Sequence, residues 1–259
     1  MGNKNVERKC LEFILRYKPQ CEFGKNILKN LINYEINETE KPDFIINKIG
    51  IEHFLADLFF TTKKNKAMSI ERKNASTIVN KINYYKNNPN DLNKDIKNGK
   101  TIKFIENIAN SQINMISNFS FQKFICNYEK MFRSHYKNRN EYRKKCDKLG
   151  FLIEIPYMNI GEDYLITKGQ DKYYKSITTI PIPKKLINYI WEHNDLDFVI
   201  LCVRPINITN EINRKNVSVI YINPKVEKLS LENTFLCDEF NYVYKFINEN
   251  VLKLSIKNW

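Results

Sequence analysis

Glycine is scarce in this chain, 7 of 259 residues, and no internal repeat or long linker divides it. The six cysteines, Cys10, Cys21, Cys126, Cys146, Cys202 and Cys237, contain no CxxC pair. That excludes a zinc ribbon or knuckle of the usual spacing and leaves scattered, reduced thiols. No run approaches the roughly 18 apolar residues of a membrane span. The opening MGNKNVERK has no apolar signal core, so the expected setting is the cytoplasm, with no membrane partner. Only three histidines occur (His53, His135, His193), without an HExxH pair, and there is no P-loop, GxGxxG or GxSxG. Zincin, nucleotide-cradling and serine-hydrolase chemistries lose their usual sequence support.

What is abundant is apolar residue and positive charge. Hydrophobic residues make up 42% and aromatics 13%, enough for a globular core, and the chain is expected to form a single domain over 1–259. Net charge is +13. Residues 61–150 hold 20 Lys/Arg against 7 Asp/Glu, while the rest of the chain holds 22 of each sign. The whole excess is therefore confined to one segment. A solvated helical face is the bland reading of such a run. A polyanion partner is the sharper one, because each neutralised phosphate releases counterions. Nucleic acid is the expected partner, with DNA the expected form.

Periodicity orders the elements. VERKCLEFILRYK and GKNILKNLINY read as helices, as do 76–87 and 101–116, the latter two joined by turn-rich NNPNDLNKDIKNGK. A long helical face then runs through Phe121, Ile125, Tyr128, Phe132, His135, Arg139, Tyr142 and Cys146, with Gly150 as its expected C-cap. FLIEIPY, DFVILCV and VSVIYI read as strands, PKKLINYIWEH as a helix, and CDEFNYVYKFINENVLKL as a C-terminal helix. This alternation predicts an α/β fold, a mixed central sheet flanked by helices, carrying a basic helical insertion at 58–120.

The stretch KPDFIINKIGIEHF, residues 41–54, reads as a hairpin with one acid in each arm. A turn at Asn47-Lys48 pairs Ile46 with Ile49, Ile45 with Gly50 and Phe44 with Ile51, which sets Asp43 opposite Glu52. Opposed side chains have Cβ atoms about 5 Å apart, where like charges repel. A proton, a basic neighbour or a divalent cation must offset that repulsion. The register holds for a two- or four-residue loop and fails for three.

The proline-aspartate pair, followed by an acid at the end of an apolar strand, resembles the PD-(D/E)XK nuclease superfamily, whose members include restriction and phage-defence endonucleases. The resemblance covers the hairpin closely and the later elements loosely. It implies a restriction-endonuclease-like core and a metal-dependent endonuclease using Mg²⁺ (or Mn²⁺). It assigns the metal to Asp43, Glu52 and the backbone carbonyl of His53. A homodimer is a family-level expectation. The departure is Phe54, which stands where the motif has lysine.

Two replacements for that lysine follow from geometry. Lys41 faces Phe54 across the hairpin, on the side of Asp43. His135 and Arg139 interrupt an apolar helical face, and a polar group there needs a partner such as a carboxylate pair or a phosphate. Lys137 lies about 200° round the helix from His135 and is the weaker candidate. The catalytic candidates are thus Asp43, Glu52, Lys41, His135 and Arg139. The His53 side chain should point to the opposite face from Glu52 and serve structure. Glu12 and Glu154 read as half-exposed surface acids. The alternative function is a nucleic-acid-binding protein with a degenerate nuclease fold that does not cut. A third reading is an interaction protein whose basic face is merely soluble.

Overall fold

Two amphipathic helices, α1 (Lys4–Arg16) and α2 (Glu22–Leu31), precede the hairpin. The computed structural model describes residues 4–56, 60–63, 66–69, 80, 81, 83–104, 120–157, 163–167, 172–175, 180–205, 217–231 and 234–242. A short strand β1 (Asn37–Glu38) leads into β2 (Phe44–Ile46) and β3 (Ile49–Leu55). β2 and β3 pair antiparallel with Phe44 opposite Ile51, Ile45 opposite Gly50 and Ile46 opposite Ile49. This is the register read from the sequence. Asn47 and Lys48 both take positive φ, 46° and 61°, as the two central residues of a tight hairpin turn require.

The chain continues through a hairpin of β4 (Phe60–Lys63) and β5 (Lys66–Ser69), then helix α3 (Pro89–Lys97), α4 (Phe121–Tyr136) and the single turn α5 (Arg139–Tyr142). After these come β6 (Lys148–Tyr157), β7 (Asp163–Thr167), β8 (Lys172–Lys175), β9 (Ile180–Pro183) and α6 (Lys184–Trp191). The remaining described strands are β10 (Phe198–Pro205), β11 (Ser218–Ile222), β12 (Thr234–Cys237) and β13 (Glu239–Tyr242).

Six strands form the central mixed sheet in the order β1-β2-β3-β6-β10-β11. β3, β6 and β10 run parallel, and the outer pairings are antiparallel. Alternation splits their side chains between two cores. Phe54, Phe151, Ile153, Val199 and Leu201 pack with Phe124, Tyr128 and Phe132 of α4 and Leu186 and Ile190 of α6. Ile49, Ile51, Leu152, Ile200 and Cys202 pack on the other face with Leu11 and Ile14 of α1 and Leu28 and Leu31 of α2. The fold class is therefore mixed α/β, with a central sheet flanked by helices. Smaller pairings attach β12 to β9 and the β13-β7-β8 sheet.

Several local expectations are corrected. The long helix stops at Tyr136 and resumes only for Arg139–Tyr142. The Asn138 side chain donates to the Ser134 carbonyl while its N–H bonds to that of His135, so local bonds compete with the helical ladder. Gly150 is no cap. It lies inside β6, where an added Cβ would come within 2.1 Å of the Phe198 ring, so close approach explains the glycine. Asn88 and Pro89, read as turn residues, start α3, with Pro in the first turn where its missing N–H costs nothing. The expected C-terminal helix instead begins in strand: Cys237 ends β12 and Glu239–Tyr242 form β13, because β9 and β7 supply distant partners. The rest of the expected C-terminal helix lies outside the described residues. Within 58–120 the described residues comprise the β4–β5 hairpin and the helical 80, 81, 83–87, 89–97 and 100–104. Of the expected helices 76–87 and 101–116, residues 76–79, 82 and 105–116 lie outside the described set.

Candidate active site

The two hairpin acids come together as the register requires. Asp43 Oδ2 accepts the His53 N–H at 2.8 Å, which holds its carboxylate beside the strand that carries Glu52. Burial, and then the charge of Glu52, push Asp43 up to about 6, against the opposing pull of that hydrogen bond. Glu52 is only 4% exposed. Its Oε1 accepts from His135 Nδ1 at 2.6 Å and from the Tyr142 hydroxyl at 3.0 Å. Its Oε2 is buried with no hydrogen-bond partner among the described residues. Burial followed by the Glu52 charge raises the Tyr142 hydroxyl above its ordinary range, so it stays a donor.

Phe54 explains how His135 is held. The two rings stack with centroids 4.7 Å apart and planes at 10°. Phe54 is itself 3% exposed and meets the edges of Phe132 and Phe151. The position that the motif gives to lysine is therefore an aromatic platform in the core. The imidazole lies on it with Nδ1 turned to the carboxylate. With Nδ1 engaged by the carboxylate, Nε2 is left for a second partner.

The other predicted residues are placed less centrally. Lys41 is exposed, with no hydrogen bond or ion pair among the described residues. Arg139 turns to Asp195 and lies 4.1 Å over the Tyr136 ring, away from Glu52. Lys137 is exposed on the outer side of α4, where it lines a groove with Lys130 and Arg133. Glu12 pairs at the surface with Arg8. The His53 imidazole points to the face opposite Glu52, as expected. Glu154 is corrected: at 2% exposure it is a core residue, bonded to His53 and Arg204. β6 has a strand on each side and packed helices over both faces, so no part of it is half-exposed there.

Sequence reasoning missed Tyr142 as a site residue, though it lay on the same helical stripe as His135. Compared with known proteins, the chain matches no family model, no curated protein and no solved structure. Among the described residues, no helix is long and apolar enough to cross a membrane.

Proposed function

We propose that this chain is a metal-dependent endonuclease acting on DNA, with Asp43 and Glu52 as its metal-binding acids. The observation that carries the reading is the acid pair itself. Two carboxylates share one face, one is raised to about 6 partly by the other, and Glu52 Oε2 is buried without a partner among the described residues. A divalent cation fits that arrangement, since it offsets the repulsion and gives Oε2 a ligand bond. Mg²⁺ or Mn²⁺ is the expected ion because the donors are oxygen; when bound, it would acidify a water and neutralise charge on the scissile phosphate. The resemblance to the PD-(D/E)XK superfamily adds the backbone carbonyl of His53 as a further oxygen. It also extends the reading to a restriction-endonuclease-like core and a role in restriction or phage defence, with a homodimer required to cut both strands.

The chain's own residues then have defined tasks. Tyr142 and His135 hold Glu52 Oε1, so that Oε2 is the oxygen left for the metal. His135 takes the place of the absent lysine: Phe54 fixes its plane, and Nε2 is the nitrogen free to meet a phosphate oxygen or a water. The exposed groove of Lys130, Arg133 and Lys137, about 330 Å³, lies on the outer side of the same helix and supplies contacts to phosphates remote from the acid pair.

A second reading is a nucleic-acid-binding protein that does not cut. It is favoured by the aromatic burial of Phe54 and by the lack of any Lys or Arg bonded to Asp43 or Glu52 among the described residues. Incubation of the full chain with DNA and RNA, with Mg²⁺ or Mn²⁺ against EDTA, separates the two. Metal-dependent cleavage lost in Glu52→Gln and depressed in His135→Ala supports the nuclease. Tight, salt-dependent binding with no cleavage under any metal supports the second reading instead.

A further inference from the structure

The opposite face of β3 holds a cluster that the acid pair does not use. Cys10 of α1, His53 of β3 and Glu154 of β6 each offer one ligand atom, and these atoms lie within 4.8 Å of one another. The three residues are 1%, 6% and 2% exposed. Glu154 divides its oxygens: Oε1 accepts from Arg204 Nε, and Oε2 faces His53 Nε2 at 3.0 Å. The Cys202 thiol, from β10, is a further buried neighbour of Cys10 but lies outside that three-atom group. Thiol sulfur, imidazole nitrogen and a single carboxylate oxygen form a zinc donor set. A tetrahedral zinc with its usual bond lengths sets ligand atoms roughly 3.3–3.8 Å apart. The nitrogen–oxygen edge, at 3.0 Å, has to open by about 0.3 Å, and the sulfur, within 4.8 Å of both, has to move in by at most about 1.5 Å.

We propose that Cys10, His53 and Glu154 bind a zinc ion between α1 and the central sheet. The cation enters between Glu154 Oε2 and His53 Nε2, exchanging one hydrogen bond for two ligand bonds. Arg204 remains on Oε1 and orients the ligating carboxylate from behind. In the metal-free chain the neighbouring Cys202 thiol, and then burial, hold the Cys10 thiol well above its ordinary range. Its proton therefore leaves as the metal binds. The three donors come from α1, β3 and β6, so the role of the metal is to fasten α1 to the sheet. This proposal does not rest on the nuclease reading, because its donors face the other core.

Cobalt is the probe, since zinc is spectroscopically silent. The full chain, refolded from denaturant after EDTA treatment, is titrated with Co²⁺ and then with Zn²⁺. The expected result is uptake of one equivalent with a thiolate-to-cobalt charge-transfer band, displaced by zinc and lost in Cys10→Ser. An oxygen-only site at Asp43 and Glu52 cannot give that band, so the two sites are distinguishable. X-ray absorption of the zinc-loaded wild type needs no variant and should show sulfur at about 2.3 Å together with nitrogen or oxygen. Absence of uptake, uptake without sulfur ligation, or a band unchanged in folded Cys10→Ser would each overturn the proposal.

Discussion

Asp43 and Glu154 are both acids gripped by the same short strand, yet their surroundings drive them in opposite directions. Asp43 is lifted to about 6 by burial and by Glu52. Glu154, more deeply buried, is held down at about 2 because His53 and Arg204 outweigh the cost of burial. One face of the sheet completes its charges and the other leaves a repelling pair with an oxygen unpartnered. Burial alone therefore does not decide the charge of a carboxylate. An electrostatic cost that the fold leaves uncompensated is one mark of a site that awaits a ligand.

The largest effect should come from breaking the compensated face. Glu154→Ala deprives His53 and Arg204 of their shared carboxylate and should cost about 3–5 kcal/mol in urea unfolding. A loss under about 1 kcal/mol would show that the network contributes little. Restoring the motif's lysine should also be costly. Phe54→Lys places an ammonium among Phe132, Phe151 and His135 and should destabilise by about 3 kcal/mol or more. A folded, more active Phe54→Lys chain would contradict the platform assigned to that ring.

Smaller effects sharpen the contrast through pH. A raised carboxylate binds more protons when folded than unfolded, so the Asp43 contribution is fully present below about 4 and is lost as pH rises through about 6. The depressed Glu154 contributes fully above about 4.5 and loses that as pH falls toward 2. Asp43→Asn keeps an acceptor for the His53 N–H and removes the charge. Discounted for its partial exposure, the change should stabilise by about 1–2 kcal/mol near pH 7 and by nothing near pH 4. Thermal melts at the two pH values give the difference. Tyr142→Phe should have the smallest effect, about 1 kcal/mol, because His135 still holds Glu52 Oε1.

The hairpin was fully legible because a two-residue turn and strict alternation leave one register for Phe44, Ile46, Ile49 and Ile51. His135 was legible as a polar residue on an apolar helical stripe. Tyr142 was not, since its approach to Glu52 depends on the helix break at Lys137 and Asn138, which no periodicity announces. Glu154 looked like an ordinary strand acid because its partners, His53 and Arg204, lie 101 and 50 residues away. The same limit applies to β12 and β13, whose strand character comes from pairing with distant β9 and β7 and not from their own sequence.

The central claim is that the uncompensated face is a divalent-cation site. Calorimetric titration of Mg²⁺ and Mn²⁺ into the full chain near neutral pH tests it directly, with wild type beside Glu52→Gln and Asp43→Asn. The prediction is saturable binding at one oxygen-ligand site in wild type, weakened at least about tenfold in both variants. Equal binding by all three chains, or none by wild type, would contradict it.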